Sequence, residues 1–96
     1  MRRDAIVIKD RDNVATAIRD IPAGQAAEVG VGEGCVSVTV SQDISFGHKF
    51  ALRLIRSGEE ILKYGTVIGR ATRDIQVGEH VHVHNVESTR GRGDLV

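Results

Sequence analysis

The sequence predicts a small, mainly β domain, and three observations carry that reading. Cys35-Val-Ser-Val-Thr-Val40 alternates apolar and polar residues with period two, the pattern of a half-buried strand. The signature Asp-Ile-x-x-Gly occurs three times, at Asp20-Ile21 with Gly24, Asp43-Ile44 with Gly47, and Asp74-Ile75 with Gly78. Glycines 65, 69 and 78 cut the second half into pieces too short for ordinary helices, and the pieces Thr66-Val-Ile68 and Val81-His-Val83 are rich in β-branched residues.

The elements follow in chain order. Ala5-Ile-Val-Ile-Lys9 is β-branched and short, and Asp10-Arg-Asp-Asn13 carries turn chemistry, so a first strand and a loop are expected. Asn13 can cap one short helix over residues 14–18, because its side-chain oxygen can accept the free amide hydrogens of a first turn and two alanines favour helix. Val36, Val38 and Val40 should share one strand face. Residues 48–56, with Phe50, Leu52, Leu54 and Ile55, fit a strand if their neighbours are strands. In each Asp-Ile-x-x-Gly copy the isoleucine can anchor in the core, the next two residues can turn, and the glycine can take a positive φ. The same copies are equally compatible with three ordinary turns. Residues 89–96 are polar and glycine-rich without periodicity, which predicts an arm beyond a domain of residues 1–88.

With 96 residues there is room for one core, and 41% apolar residues with only Phe46, Phe50 and Tyr64 as aromatics make that core aliphatic. Thirteen basic and thirteen acidic side chains cancel, which argues against a nucleic-acid or membrane-surface partner. The lone Cys35 cannot form an internal disulfide and reads as a small core residue, Tyr64 reads as packing, and the start Met-Arg-Arg-Asp lacks a secretory pattern. A cytoplasmic location is the expectation. No nucleophile with a neighbouring base is visible, and Gly30-Val-Gly-Glu-Gly34 leads into a strand rather than opening a phosphate-binding helix.

Two segments can carry chemistry. Glu79-His-Val-His-Val-His-Asn85 places three histidines two apart, on one face if the segment is a strand, with Val81 and Val83 buried opposite. Same-face neighbours on a strand lie nearly 7 Å apart, so two of them reach one metal only with a bend. A polar outer face with histidine in place of threonine gives the same pattern. Gly47-His48-Lys49 sets an imidazole beside an ammonium, a pair able to hold a carboxylate or simply to be solvated.

The ordered set Asp12-Asn-Val-Ala-Thr-Ala17, Asp20-Ile-Pro-Ala-Gly24, Gly47-His-Lys-Phe-Ala51, Lys63-Tyr-Gly65, Ile68-Gly-x-Ala71 and Gly78-Glu-His-Val-His-Val-His-Asn85 resembles the SAF-type domain of the altronate/galactarate dehydratase family. Arg90-Gly-Arg-Gly-Asp-Leu95 is similar to the tail of its separately encoded small subunits. The resemblance implies a β-clip fold and a lyase that removes water from a sugar acid, giving a 2-keto-3-deoxy acid. It further implies a small subunit, inactive alone, that acts with a large catalytic subunit and shares with it a divalent metal, Fe, Mn or Mg. By the same resemblance His48, Lys49 and His84 are expected to be catalytic, Lys49 and Asn85 to bind substrate, and His82 and His84 to ligate metal. His80, nearer the Gly78 turn, is expected to matter least. The isolated chain could form a homo-oligomer. A sulfolactate sulfo-lyase small subunit, a non-catalytic carbohydrate-binding or assembly module, and a free-standing structural domain are the alternatives.

Overall fold

A computed structural model describes residues 3–88, so the expected arm at 89–96 lies outside the described residues. Every regular element among them is a strand: β1 (Ala5–Val7), β2 (Val14–Ala17), β3 (Ala26–Val31), β4 (Gly34–Thr39), β5 (Lys49–Ala51), β6 (Glu60–Lys63), β7 (Thr66–Ala71), β8 (His80–Val81) and β9 (Val86–Glu87). Six form one sheet in the order β4-β3-β1-β2-β5-β8, and β6-β7-β9 form a second. All pairings are antiparallel except β1 with β3. The mainly β expectation holds.

The helix expected over residues 14–18 does not form; those residues are β2 and its exit. Asn13 explains why. Its side chain is buried and caps nothing: Nδ2 donates to the Glu60 carbonyl at 2.8 Å, and Oδ1 accepts the Leu62 amide at 2.8 Å. The residue thus acts as a rung along β6, and tertiary pairing outweighs the weak helical preference of Ala15 and Ala17.

Two core clusters lie on opposite faces of the β2-β5 pair, as period-two alternation requires. Ala15, Ala17 and Phe50 enter one cluster with Ile21, Val29, Val40 and Ile44. Val14 and Ala51 enter the other with Ile55, Ile61, Ile75 and Val81. Burying aliphatic side chains of this size contributes about 1.5–3 kcal/mol each, and the two clusters hold the sheets together.

The repeated turns behave as the sequence suggested. Ile21, Ile44 and Ile75 are at most 1% exposed, and Gly24, Gly47 and Gly78 have φ of 89°, 84° and 81°. At Gly78 space matters as well, since a Cβ would collide with the Thr39 carbonyl oxygen. A fourth copy, Leu54-Ile55-Arg-Ser-Gly58, completes the set, with Gly58 at φ 86°. The copies pair through Ile21 with Ile44 and Ile55 with Ile75. In the first pair each aspartate closes its partner's turn: Asp43 Oδ1 accepts the Ala23 amide at 2.9 Å and Asp20 Oδ1 the Phe46 amide at 2.8 Å. In the second pair Asp74 accepts from Ser57 at 2.8 Å, while Leu54 stands where the reciprocal acceptor would be. That leucine hid the fourth copy from the motif.

Three local expectations are corrected. Cys35, expected in the core, is only half-buried, because the β3-β4 hairpin runs past the core there; along the valine face of β4 Val38 and Val40 are buried and Val36 is exposed. Tyr64 is exposed at the β6-β7 turn with φ 56°, where the Asp12 carboxylate accepts the Tyr64 and Gly65 amides at 2.8 and 2.7 Å. Of residues 48–56, only Lys49–Ala51 is strand.

Candidate active site

The histidine segment is not one strand. β8 ends at Val81, the next residues turn, and Val83, expected to be buried, is 81% exposed. The turn is closed from within by Asn85, whose Oδ1 accepts the His82 amide at 3.0 Å and whose Nδ2 donates to the His80 carbonyl at 2.8 Å. The single shared face expected for His80, His82 and His84 is therefore broken after His80. What replaces it is a cluster across strands.

β5 pairs with β8 in the register Lys49 with Val81 and Phe50 with His80. Extended by one rung, that register sets His48 opposite His82, and their rings stack at 4.6 Å between centroids, 15° from parallel. His80 closes the group, with centroids 5.1 Å from His48 and 5.2 Å from His82. His48 Nδ1 and His80 Nε2 are 2.9 Å apart, a hydrogen bond that needs one ring to hold the proton and the other a lone pair. All three side chains are half-buried, and their ligand-capable nitrogens lie within 4.8 Å of one another. His84 is exposed and tilts 36° against His80 at 5.4 Å, outside that trio.

Lys49 follows His48 and shares the face of Ala51, toward the second sheet. With His82, Val83, Ile68 of β7 and Val86 of β9 it lines a shallow depression of about 200 Å³ at the junction of the two sheets. Burial, then the charge of Lys63, lowers the Lys49 pKa. His80 is also pushed down, by burial first and then by His48, His82, His84 and Lys49. For His82 burial leads, followed by His48, Lys49 and His84. The face therefore favours neutral imidazoles, the form that binds metal.

Of the residues singled out from the sequence, His48, Lys49 and His82 come together. His84 stands at the rim, and Asn85, expected to touch substrate, is fully buried beneath the turn with its amide engaged on both sides. His80, expected to matter least, lies at the centre. The signal that finds it is the β5-β8 register, which joins residues about thirty positions apart and is not written in either segment alone.

The fit to a metal can be judged from the donors themselves. Two nitrogens on one ion sit about 3–3.5 Å apart when each bond is about 2.1 Å, so the trio, with its nitrogens within 4.8 Å of one another, would have to draw closer to share one. Three imidazoles suit Fe better than Mn or Mg, which favour oxygen donors.

The described residues make an all-strand domain of two sheets, with a cluster of imidazoles of which His82 stands beside Lys49 at the sheet junction. Residues 3–89 match the altronate/galactarate dehydratase SAF domain, and the chain belongs to that family. It is 46% identical over 83 residues to the altronate dehydratases of Bacillus subtilis (strain 168) and of Escherichia coli (strain K12), covering 86% of this chain. The chain spans 16% of the length of those relatives. It is also 35% identical over 88 residues to the (2R)-sulfolactate sulfo-lyase subunit alpha of Chromohalobacter salexigens, covering 88% of this chain and 94% of that subunit. Among the described residues no helix is long and apolar enough to cross a membrane.

Proposed function

We propose that the chain is the small subunit of a sugar-acid dehydratase, presenting its histidine face to an active site completed by a large catalytic partner. The observation that carries this reading is the convergence of His48, His80 and His82, of which His82 also lines an open depression together with Lys49. Dehydration of a sugar acid begins with loss of the proton next to the carboxylate, and the enediolate that develops needs positive charge within reach. Lys49, at the depression, would hold the substrate carboxylate. His48, His80 and His82 would hold the divalent ion, which when bound supplies further positive charge to the same oxygens. His84, exposed at the rim, is the general acid that gives a proton to the departing hydroxyl so that it leaves as water. The base that takes the first proton comes from the partner.

A second reading, the small subunit of a sulfolactate sulfo-lyase, is favoured by one observation: the match extends over 94% of a subunit alpha bearing that name. Both eliminations need the same stabilised enediolate and differ in the group that departs. Co-expression with a large dehydratase-type chain, followed by assay on altronate, galactarate and sulfolactate, tests both. A stable complex with turnover that falls at least tenfold in His48→Asn or Lys49→Met supports the reading. No complex, or equal turnover in those variants, refutes it.

A further inference from the structure

We infer that Asn85 is the positioning residue of this site: it closes the turn that ends β8 and so holds His82 against His48 where the strand no longer does. The inference takes its functional meaning from the proposed reading of the histidine face.

Had β8 continued as a regular strand, the register with β5 would keep His82 opposite His48, and Val83 would alternate inward. Instead β8 ends at Val81, the chain turns and Val83 is 81% exposed, yet His82 still stacks on His48 at 4.6 Å. Three bonds impose the bend. The Asn85 amide hydrogen donates to the His82 carbonyl at 3.1 Å, its Oδ1 accepts the His82 amide at 3.0 Å, and its Nδ2 donates to the His80 carbonyl at 2.8 Å. Side chain and backbone of one residue thus grip both histidines. The residue is 0% exposed, so these bonds are shielded from competing water.

No other described side chain bonds the His82 backbone. His80 has independent support, because Phe50 pairs with it across β5-β8 and Gln42 Oε1 accepts its amide at 2.9 Å. The two histidines should therefore respond differently to loss of Asn85. His82 depends on the clamp, whereas His80 and His48 are held by the sheet.

The test is proton NMR on the full chain with labelled histidines. In the wild type, nuclear Overhauser contacts link the rings of His48, His80 and His82. In Asn85→Ala the His48–His82 contact should vanish while His48–His80 and the signals of Phe50 and Val81 persist; retention of the His48–His82 contact overturns the inference. Should that variant fail to fold, Asn85→Asp decides. Its carboxylate accepts more strongly than an amide, so the His82 amide resonance should move downfield and exchange more slowly; an unmoved resonance overturns the inference. Zn²⁺ titration of the wild type is read separately. Intact ring contacts that Asn85→Ala abolishes, with no Zn²⁺ affinity in the wild type, would sink the metal reading while upholding the clamp.

Discussion

Replacing Asn13 with Ala tests how the two sheets are joined, and with them the depression that Lys49, Ile68 and Val86 share. The side chain links β2 to β6 by two bonds of 2.8 Å, to the Glu60 carbonyl and from the Leu62 amide, at 1% exposure. The substitution leaves both backbone groups without that partner. A buried group deprived of its partner costs about 1–3 kcal/mol. Glu60 is exposed and its carbonyl can rehydrate, whereas Leu62 is half-buried, so the sum should fall at about 2–3 kcal/mol. The backbone bonds from Asn13 N to Leu62 O at 3.3 Å and from Leu52 N to Asn13 O at 3.0 Å remain, which keeps the loss below that of a severed strand. In a domain of this size each kcal/mol moves Tm by about 4–8 °C, so roughly 10–20 °C is expected. Asn13→Asp keeps the acceptor for Leu62 but sets a buried carboxylate oxygen against the Glu60 carbonyl, so it should cost at least as much. Urea and thermal unfolding measure both variants. A loss under about 0.5 kcal/mol, the range of ordinary surface changes, would show that the sheets are joined by something else.

Three further outcomes are expected. His48→Asn, His80→Gln and His82→Gln should each weaken Zn²⁺ or Fe²⁺ binding at least tenfold, with stability within about ±0.5 kcal/mol; His84→Gln should weaken it less, and equal affinity in all four would remove the trio as a site. His80 and His82 titrate below 6.5 in the folded chain, so the unfolded chain binds more protons as pH falls. The stability they contribute is full above that value and is lost as pH drops toward their folded values; melting should be lower at pH 5 than at pH 7.5, with a smaller difference in the His80→Gln/His82→Gln double variant. Gly69→Ala would place a Cβ 2.6 Å from the Glu87 carbonyl oxygen and from Val86 Cγ1, forcing β9 off β7. A loss of about 1–3 kcal/mol is expected, and an unchanged melting curve would contradict that packing.

Glycine and isoleucine spacing made the turns legible in the sequence because their requirement is local: a positive φ at one position and a buried anchor three residues earlier. The strands at Thr66–Ala71 and Ala5–Val7 were legible for a similar reason, since β-branched runs disfavour helix before any partner is considered. Residues 14–18 misled because the deciding bonds from Asn13 go to residues 60 and 62, far along the chain. The histidine segment misled in the same way. Its alternation is that of a strand, yet Asn85 turns it after Val81.

By itself, then, the sequence determined that this chain builds an aliphatic, turn-rich β domain, and that imidazoles and a lysine are its available chemistry. It did so because periodicity and glycine placement act over a few residues. Which imidazoles meet was decided only by tertiary structure. The β5-β8 register joins His48 to His80 and His82, and the junction of two sheets puts Lys49 beside Ile68 and Val86. Such meetings depend on which strands pair across the chain, and pairing is settled by burial of the two cores rather than by any segment's own pattern.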